Sequence, residues 1–282
     1  MKRNCLTGLL TVVLCWLALL AAPVAAAPNP LAADEQNRLL TEAVQFCRQA
    51  DSLAATDADG AQDLYRKALL RYTRLEAAGI KNGRLYYNLG NLHFRLHDLG
   101  RALLNYRRAE LFMPADGNLR QNLAYVRELR RDRIEEQEQT QVLKTLFFWH
   151  YDLTPEVRLG LGGFFYLAFW GLVVVYLFRP GLVPRSVPAL SLAMALLFMG
   201  SLLVDYRAAT GQPAGVLISP EIVARKGGGP AYQPSFQEPL HGGTEFRLLE
   251  RRGDWWRIML GDGRDCWIPA AAGELVLPGP AV

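Results

Sequence analysis

Three kinds of hydrophobic pattern succeed one another along the chain. Between residues 34 and about 140, apolar positions recur at three- and four-residue spacing among Arg, Glu, Gln and Asn, as they do in helices packed on one face. From Val157 to Val204 this gives way to two unbroken apolar runs. From Asp205 onward Gly and Pro become frequent and short β-type runs alternate with turn residues.

The first zone predicts five helices: Glu35–Ala54, Ala61–Ala78, Arg84–Leu96, Leu99–Phe112, and one that starts near Asn118 and runs past Glu138. The stretch Thr56–Gly60 breaks the first from the second with Asp and Gly turn chemistry. Gly79 suits the left-handed cap of the second helix. Asp98 is placed to accept from free amides of the fourth, and Pro114 stops that helix.

The runs Val157–Phe178 and Val187–Val204 are each near the roughly 20 apolar residues that cross a bilayer. Arg158 is the sole charge, at the edge of the first run. A helix satisfies its own backbone hydrogen bonds in hydrocarbon, so a hairpin of two spanning helices is predicted. Residues 179–186 are too few to form a domain, and the segments before and after the hairpin lie on one side. Arg179 and Arg185 flank the connection, which puts it in the cytoplasm. Residues 1–26 read as an export signal: Lys2 and Arg3, an apolar stretch Leu6–Leu20, then small residues Val24 and Ala26 before the cut. An uncleaved anchor is the alternative. Both soluble segments are then expected on the exported side of the inner membrane. Residues 142–156, with Leu143, Leu146, Phe147 and Trp149, read as an interfacial helix opened into the span by Pro155, or else as a terminal helix of the helical part.

In the last zone, Glu221–Arg225, Thr244–Glu250, Trp255–Leu260, Arg264–Ile268 and Glu274–Leu277 are candidate strands, with Asp262–Gly263 as a hairpin turn. Five short strands within residues 214–278 predict a small all-β barrel.

An internal repeat refines the helical zone. Ala68, Tyr72 and Leu75 recur 34 residues later as Ala102, Tyr106 and Ala109, and Asn88 and Leu89 recur as Asn122 and Leu123. The period and the ordered residues Tyr86, Leu89, Gly90, Ala102, Tyr106, Ala109 and Pro114 resemble a tetratricopeptide repeat, covering residues 34–141. Gly90 and Ala102 are small where two helices cross, and the larger side chains fill the space between them.

Charge and cysteine content narrow the function. The net charge of +4 offers no basic field for nucleic acid. Two of the four cysteines fall in the export signal, and Cys47 and Cys266 are expected to be free thiols, since no Cys-x-x-Cys occurs. His93 and His97 have zinc-like spacing but lack a third ligand. With no nucleophile elbow, phosphate loop or paired acid and base, the chain is expected to be non-enzymatic and without a cofactor.

What remains is binding surface. Arg84, Tyr87, Asn88, Asn91 and Arg95 form one stripe at helical spacing, continued by Asn122 in the next helix. Arginine and asparagine there suit a peptide backbone with an acidic or carboxylate end. In the β zone, alternation sends one of Trp255 and Trp256 to the core and the other outward.

The stretch GTEFRLLERRGDWWRIMLGDGRDCWIP resembles a bacterial SH3 domain through Gly243, Trp255, Asp262, Gly263 and Trp267, with Cys266 where glycine is usual. The order of signal, tetratricopeptide repeats, membrane hairpin and SH3-like domain resembles the E-type member of the Bacteroides aerotolerance (Bat) family. That resemblance implies a multi-domain membrane scaffold working with von Willebrand A-domain membrane proteins and a MoxR-type ATPase. A second reading makes the SH3-like part a module for peptidoglycan stem peptides.

Overall fold

The computed structural model describes residues 31–134, 147–179 and 181–277. The expected export signal, Leu143 and Leu146 lie outside them. Five helices come first: α1 (Ala33–Leu53), α2 (Ala58–Ala77), α3 (Gly83–Arg95), α4 (Leu99–Glu110) and α5 (Gly117–Glu128). Aspartate or asparagine opens four of them. Asp57, Asn82, Asp98 and Asp116 each accept from the backbone N–H three residues on, at 2.8–2.9 Å. The helices pack as successive antiparallel neighbours around one core that includes Tyr72, Leu89, Leu103 and Tyr106. At the crossing of α3 and α4, a Cβ on Gly90 would lie 2.5 Å from the Tyr106 ring, so only glycine permits this approach.

The fifth helix is shorter than its sequence predicts. It ends at Glu128, and residues 129–134 leave the helix. The reason is Asp132, whose carboxylate accepts from the backbone N–H of His241 and from Thr244 Oγ1, both at 2.6 Å. Continuing the helix would forfeit those bonds.

A short helix α6 (Phe148–Tyr151) precedes α7 (Pro155–Phe178) and α8 (Ser186–Gly211), two long apolar helices that form a hairpin. Thr154 caps α7 and Pro155 occupies its first turn, where a missing N–H costs nothing. Both helices are long and apolar enough to cross a membrane. Their outer faces are apolar and exposed, as at Phe164 and Leu190.

Only Gln212 and Pro213 separate α8 from the sheet. Five antiparallel strands stand in the order β6 (Asp265–Pro269), β5 (Trp255–Leu260), β4 (Glu245–Arg252), β1 (Ala214–Leu217) and β7 (Gly273–Leu275). A two-stranded pair, β2 (Glu221–Ile222) with β3 (Leu240–His241), lies beside it. Among the described residues, the edge strands β6 and β7 do not pair, so the antiparallel sheet is observed without closure into a barrel. Strand β1 is absent from the sequence expectation. It sits between β4 and β7, and its Val216 joins the helical core rather than the core of the sheet.

Candidate functional site

The helical part and the sheet meet along a charged seam. Glu245, at the start of β4, accepts from Arg127 at 2.8 and 2.9 Å and from Arg130 at 3.1 Å, with Arg107 at 3.2 Å. The arginines hold the Glu245 carboxyl below its usual range against the opposing effect of burial. Arg108, on α4, donates to Glu274 Oε1 at 2.6 Å and to the carbonyls of Leu275 and Val276. It also reaches Glu76 of α2, at 3.4 Å. Beneath these pairs the backbones nearly touch: a Cβ on Gly100 would lie 2.6 Å from the Leu217 carbonyl oxygen. Val216 and Val276 complete an apolar seal.

The expected groove residues lie elsewhere, on α3 and α5, and the structure places four of them in two hydrogen-bonded sets, Asn88 with Tyr72 and a ladder of Tyr87, Asn91, Tyr106 and Asn122. Asn88 Nδ2 donates to the Tyr72 hydroxyl at 3.1 Å. Tyr106 Oη donates to Asn91 Oδ1 at 2.7 Å, and Asn122 Nδ2 donates to both Asn91 Oδ1 and Tyr87 Oη, at 3.1 and 3.0 Å. Burial, the largest cause, pushes the Tyr72 and Tyr106 phenols up to about 12, so both stay protonated near neutral pH. These hydrogen bonds spend one side of each amide. Asn88 Oδ1, Asn91 Nδ2 and Asn122 Oδ1 have no hydrogen-bond partner among the described residues and are available to a ligand.

The two arginines of the stripe differ. Arg84, at the start of α3, is exposed and makes no ion pair among the described residues. Arg95, at the other end, stands 3.8 Å from Asp51, which also accepts from Tyr65 Oη at 2.7 Å. The stripe therefore carries a cation at the Arg84 end and a partly neutralised pair at the Arg95 end. Near the latter, Phe94 meets the exposed ring of Tyr125 edge-on at 5.8 Å. Tyr87 belongs to the sequence stripe, but Tyr125 and the partners Tyr72 and Tyr106 were not part of it, because they come from neighbouring helices.

The residues expected to form the repeat core lie inside the helical part or at its edge. Tyr86, Leu89, Ala102, Tyr106 and Ala109 are buried with Gly90, and Pro114 is half-buried after α4. His97 lies beyond α3 at φ 62°, while His93 remains within it beside Asp98, so the two histidines do not share a helical face. Among the described residues no group of three metal-ligating side chains forms.

In the sheet the tryptophans depart from simple alternation. Trp255 and Trp256 are both half-buried. Trp256 packs on the sheet core near Phe246, with the Arg251 guanidinium 5.8 Å from its ring. Trp255 is shielded from the other side, since the loop carrying Gly228 passes over it and over buried Trp267. That loop is tied down by reciprocal backbone bonds between Arg225 and Trp267, each 2.8 Å. Comparison of the chain with protein-family models, curated proteins and solved structures finds no match.

Proposed function

We propose that the chain is a non-enzymatic, membrane-anchored scaffold of the bacterial envelope that holds a partner protein in the α3–α5 groove. In this reading the helices are tetratricopeptide repeats and the sheet is an SH3-like domain. The apolar hairpin spans the inner membrane, and both soluble parts stand on the exported side. The observation that carries the reading is the tethering of Asn88, Asn91 and Asn122 to Tyr72, Tyr106 and Tyr87, which leaves an amide atom of each open beside Arg84, a side chain with no ion pair among the described residues. Amides fixed in this way suit an extended peptide backbone, and Arg84 suits an acidic side chain or terminal carboxylate. Among the described residues, none of the groove side chains takes part in the seam with the sheet, so the groove is open while the sheet is docked.

The Bat-type arrangement makes von Willebrand A-domain membrane proteins, with a MoxR-type ATPase, the partners of choice. Purification of the full-length protein from membranes in mild detergent tests this. Arg84→Glu should lose the co-purifying partner and leave the protein folded. Retention of the partner by that variant would remove the groove from the function.

The second reading, peptidoglycan binding through the sheet, rests on the half-buried Trp255 and Trp256. It must be tested on the full chain, because Val216 and Val276 of the sheet region belong to the helical core. Sedimentation of the full-length protein with purified murein, unaffected by Arg84→Glu, would favour it.

A further inference from the structure

A second cluster of polar groups lies where the apolar hairpin meets the short helix before it. Arg158, in the first turns of α7, is 3% exposed. Its guanidinium donates to Ser201 Oγ of α8 at 2.6 Å and pairs closely with Asp205 of the same helix. His150 of α6 closes the cluster. Its Nδ1 lies 2.7 Å from Ser201 Oγ and 3.0 Å from Arg158 Nη1, and its Nε2 lies 3.4 Å from Asp205. Trp149 seats α6 on α8, edge-on to Phe198 at 6.1 Å.

These distances fix the protonation state of the histidine. Arg158 has only N–H groups to offer, so Nδ1 must be an acceptor. The Ser201 hydroxyl accepts from Arg158 and can give its own proton to Nδ1. The remaining proton sits on Nε2, facing Asp205. This is neutral imidazole. A proton added at Nδ1 would set a second cation against Arg158, with the nearby Asp205 already shared. The charged groups facing His150 include Arg158 of α7 and Asp205 of α8. Just beyond, Asp152 pairs with Arg120 of α5 at 2.6 Å, so the segment that carries His150 also touches the helical part.

The geometry points to a proton-operated latch: neutral His150 fastens α6 and the chain entering the hairpin to Arg158, Ser201 and Asp205, and protonation releases it. The latch rests on the hairpin crossing the membrane, with this end on the exported side, where the surrounding medium sets the pH. It does not depend on what the groove binds. Burial and Arg158 lower the His150 pKa, against a raising effect of Asp205. The sign follows. A group whose latched pKa is depressed holds the latch above its free value of about 6.5, and the latch is lost as pH falls through the lower, latched value.

The test is a pH titration by NMR of the full-length protein in detergent micelles, with labelled histidine and tryptophan. His150→Asn and Trp149→Phe assign the two signals. The expected result is a His150 midpoint below the free imidazole value of about 6.5, with the Trp149 indole N–H moving at the same midpoint. His150→Asn, which can still accept at the Nδ1 position but cannot take a proton, should hold the Trp149 signal still across the range. His150→Lys should show the acid-state Trp149 signal at pH 7.5. A His150 midpoint at or above about 6.5 would overturn the latch. So would a Trp149 signal that ignores the His150 titration.

Discussion

Arg127 grips Glu245 with two parallel hydrogen bonds, Nε to Oε2 at 2.9 Å and Nη2 to Oε1 at 2.8 Å. The residues are 118 positions apart in the chain, and the pair joins the last of the five N-terminal helices to the sheet that follows the hairpin. With Arg130 and Arg107 also on Glu245, and Arg108 on Glu274, the helical part and the sheet are one packed body. Here the sheet contributes Val216 and Val276 to the helical core.

Removing the carboxylate should therefore open the joint. Glu245→Ala leaves three arginines facing one another in a site where the carboxylate side chain is 19% exposed. Breaking a buried pair costs about 3–5 kcal/mol, and partial exposure here brings the expectation to about 2–3 kcal/mol. Thermal unfolding of the full-length protein in detergent should show a lowered midpoint, with faster proteolysis at residues 129–134. An unchanged midpoint and cleavage rate would show that the apolar seal alone holds the parts together.

The same joint has a calculable pH response. Glu245 and Asp132 are both held below the usual carboxylate range in the folded protein by their donors, in opposition to burial. Groups with depressed folded pKa values stabilise above the unfolded values, about 3.9 to 4.3, and lose that contribution as pH falls through the folded ones. The joint should stay closed through mild acid and loosen only below about pH 4. Opening at pH 6, followed by small-angle scattering, would contradict this assignment.

At the helix crossing, Gly90→Leu should destabilise the helical part by about 1–3 kcal/mol or more, since even a Cβ meets the Tyr106 ring at 2.5 Å. Melting of the variant beside the parent measures it. An equal midpoint would mean that α3 and α4 can separate at no cost.

The thiols give a chemical check. Cys266 is buried and its pKa is pushed up to about 12, mainly by burial, so little thiolate forms at pH 8. Burial also raises the half-exposed Cys47. Native protein should label slowly at Cys266 with iodoacetamide, and both should react on denaturation. Rapid native labelling of Cys266 would place it outside the sheet core.

Much of this architecture is written in local pattern. Helices α1 to α4 follow from apolar spacing, and the start of α4 from Asp98, because caps and amphipathic faces are properties of neighbouring residues. The hairpin is equally plain. What the sequence hid is long-range. Strand β1 is four residues long, and its partners lie in β4 and β7, so nothing nearby marks it. Helix α5 was expected to continue because residues 129–134 suit a helix. Asp132 instead bonds to His241 and Thr244, more than a hundred positions away. In the groove, the stripe of Arg84, Asn88 and Asn91 was legible from helical spacing. Tyr72 and Tyr106, which fix Asn88 and Asn91, were not part of that stripe, since they come from α2 and α4. Arg158 and Asp205 could have been matched from sequence. One opens the first apolar run and the other follows the second, so an antiparallel hairpin brings them to the same end.

Occupancy of the groove is the central claim, and site-specific photocrosslinking in intact cells reads it most directly. Benzoylphenylalanine placed at Arg84 samples the groove, at Lys67 the exposed outer side of α2, and at Arg251 the sheet. The scaffold account predicts a discrete protein adduct from position 84 and none from 67. An adduct from 251 alone, to protein or murein, would contradict it and move the binding site to the sheet.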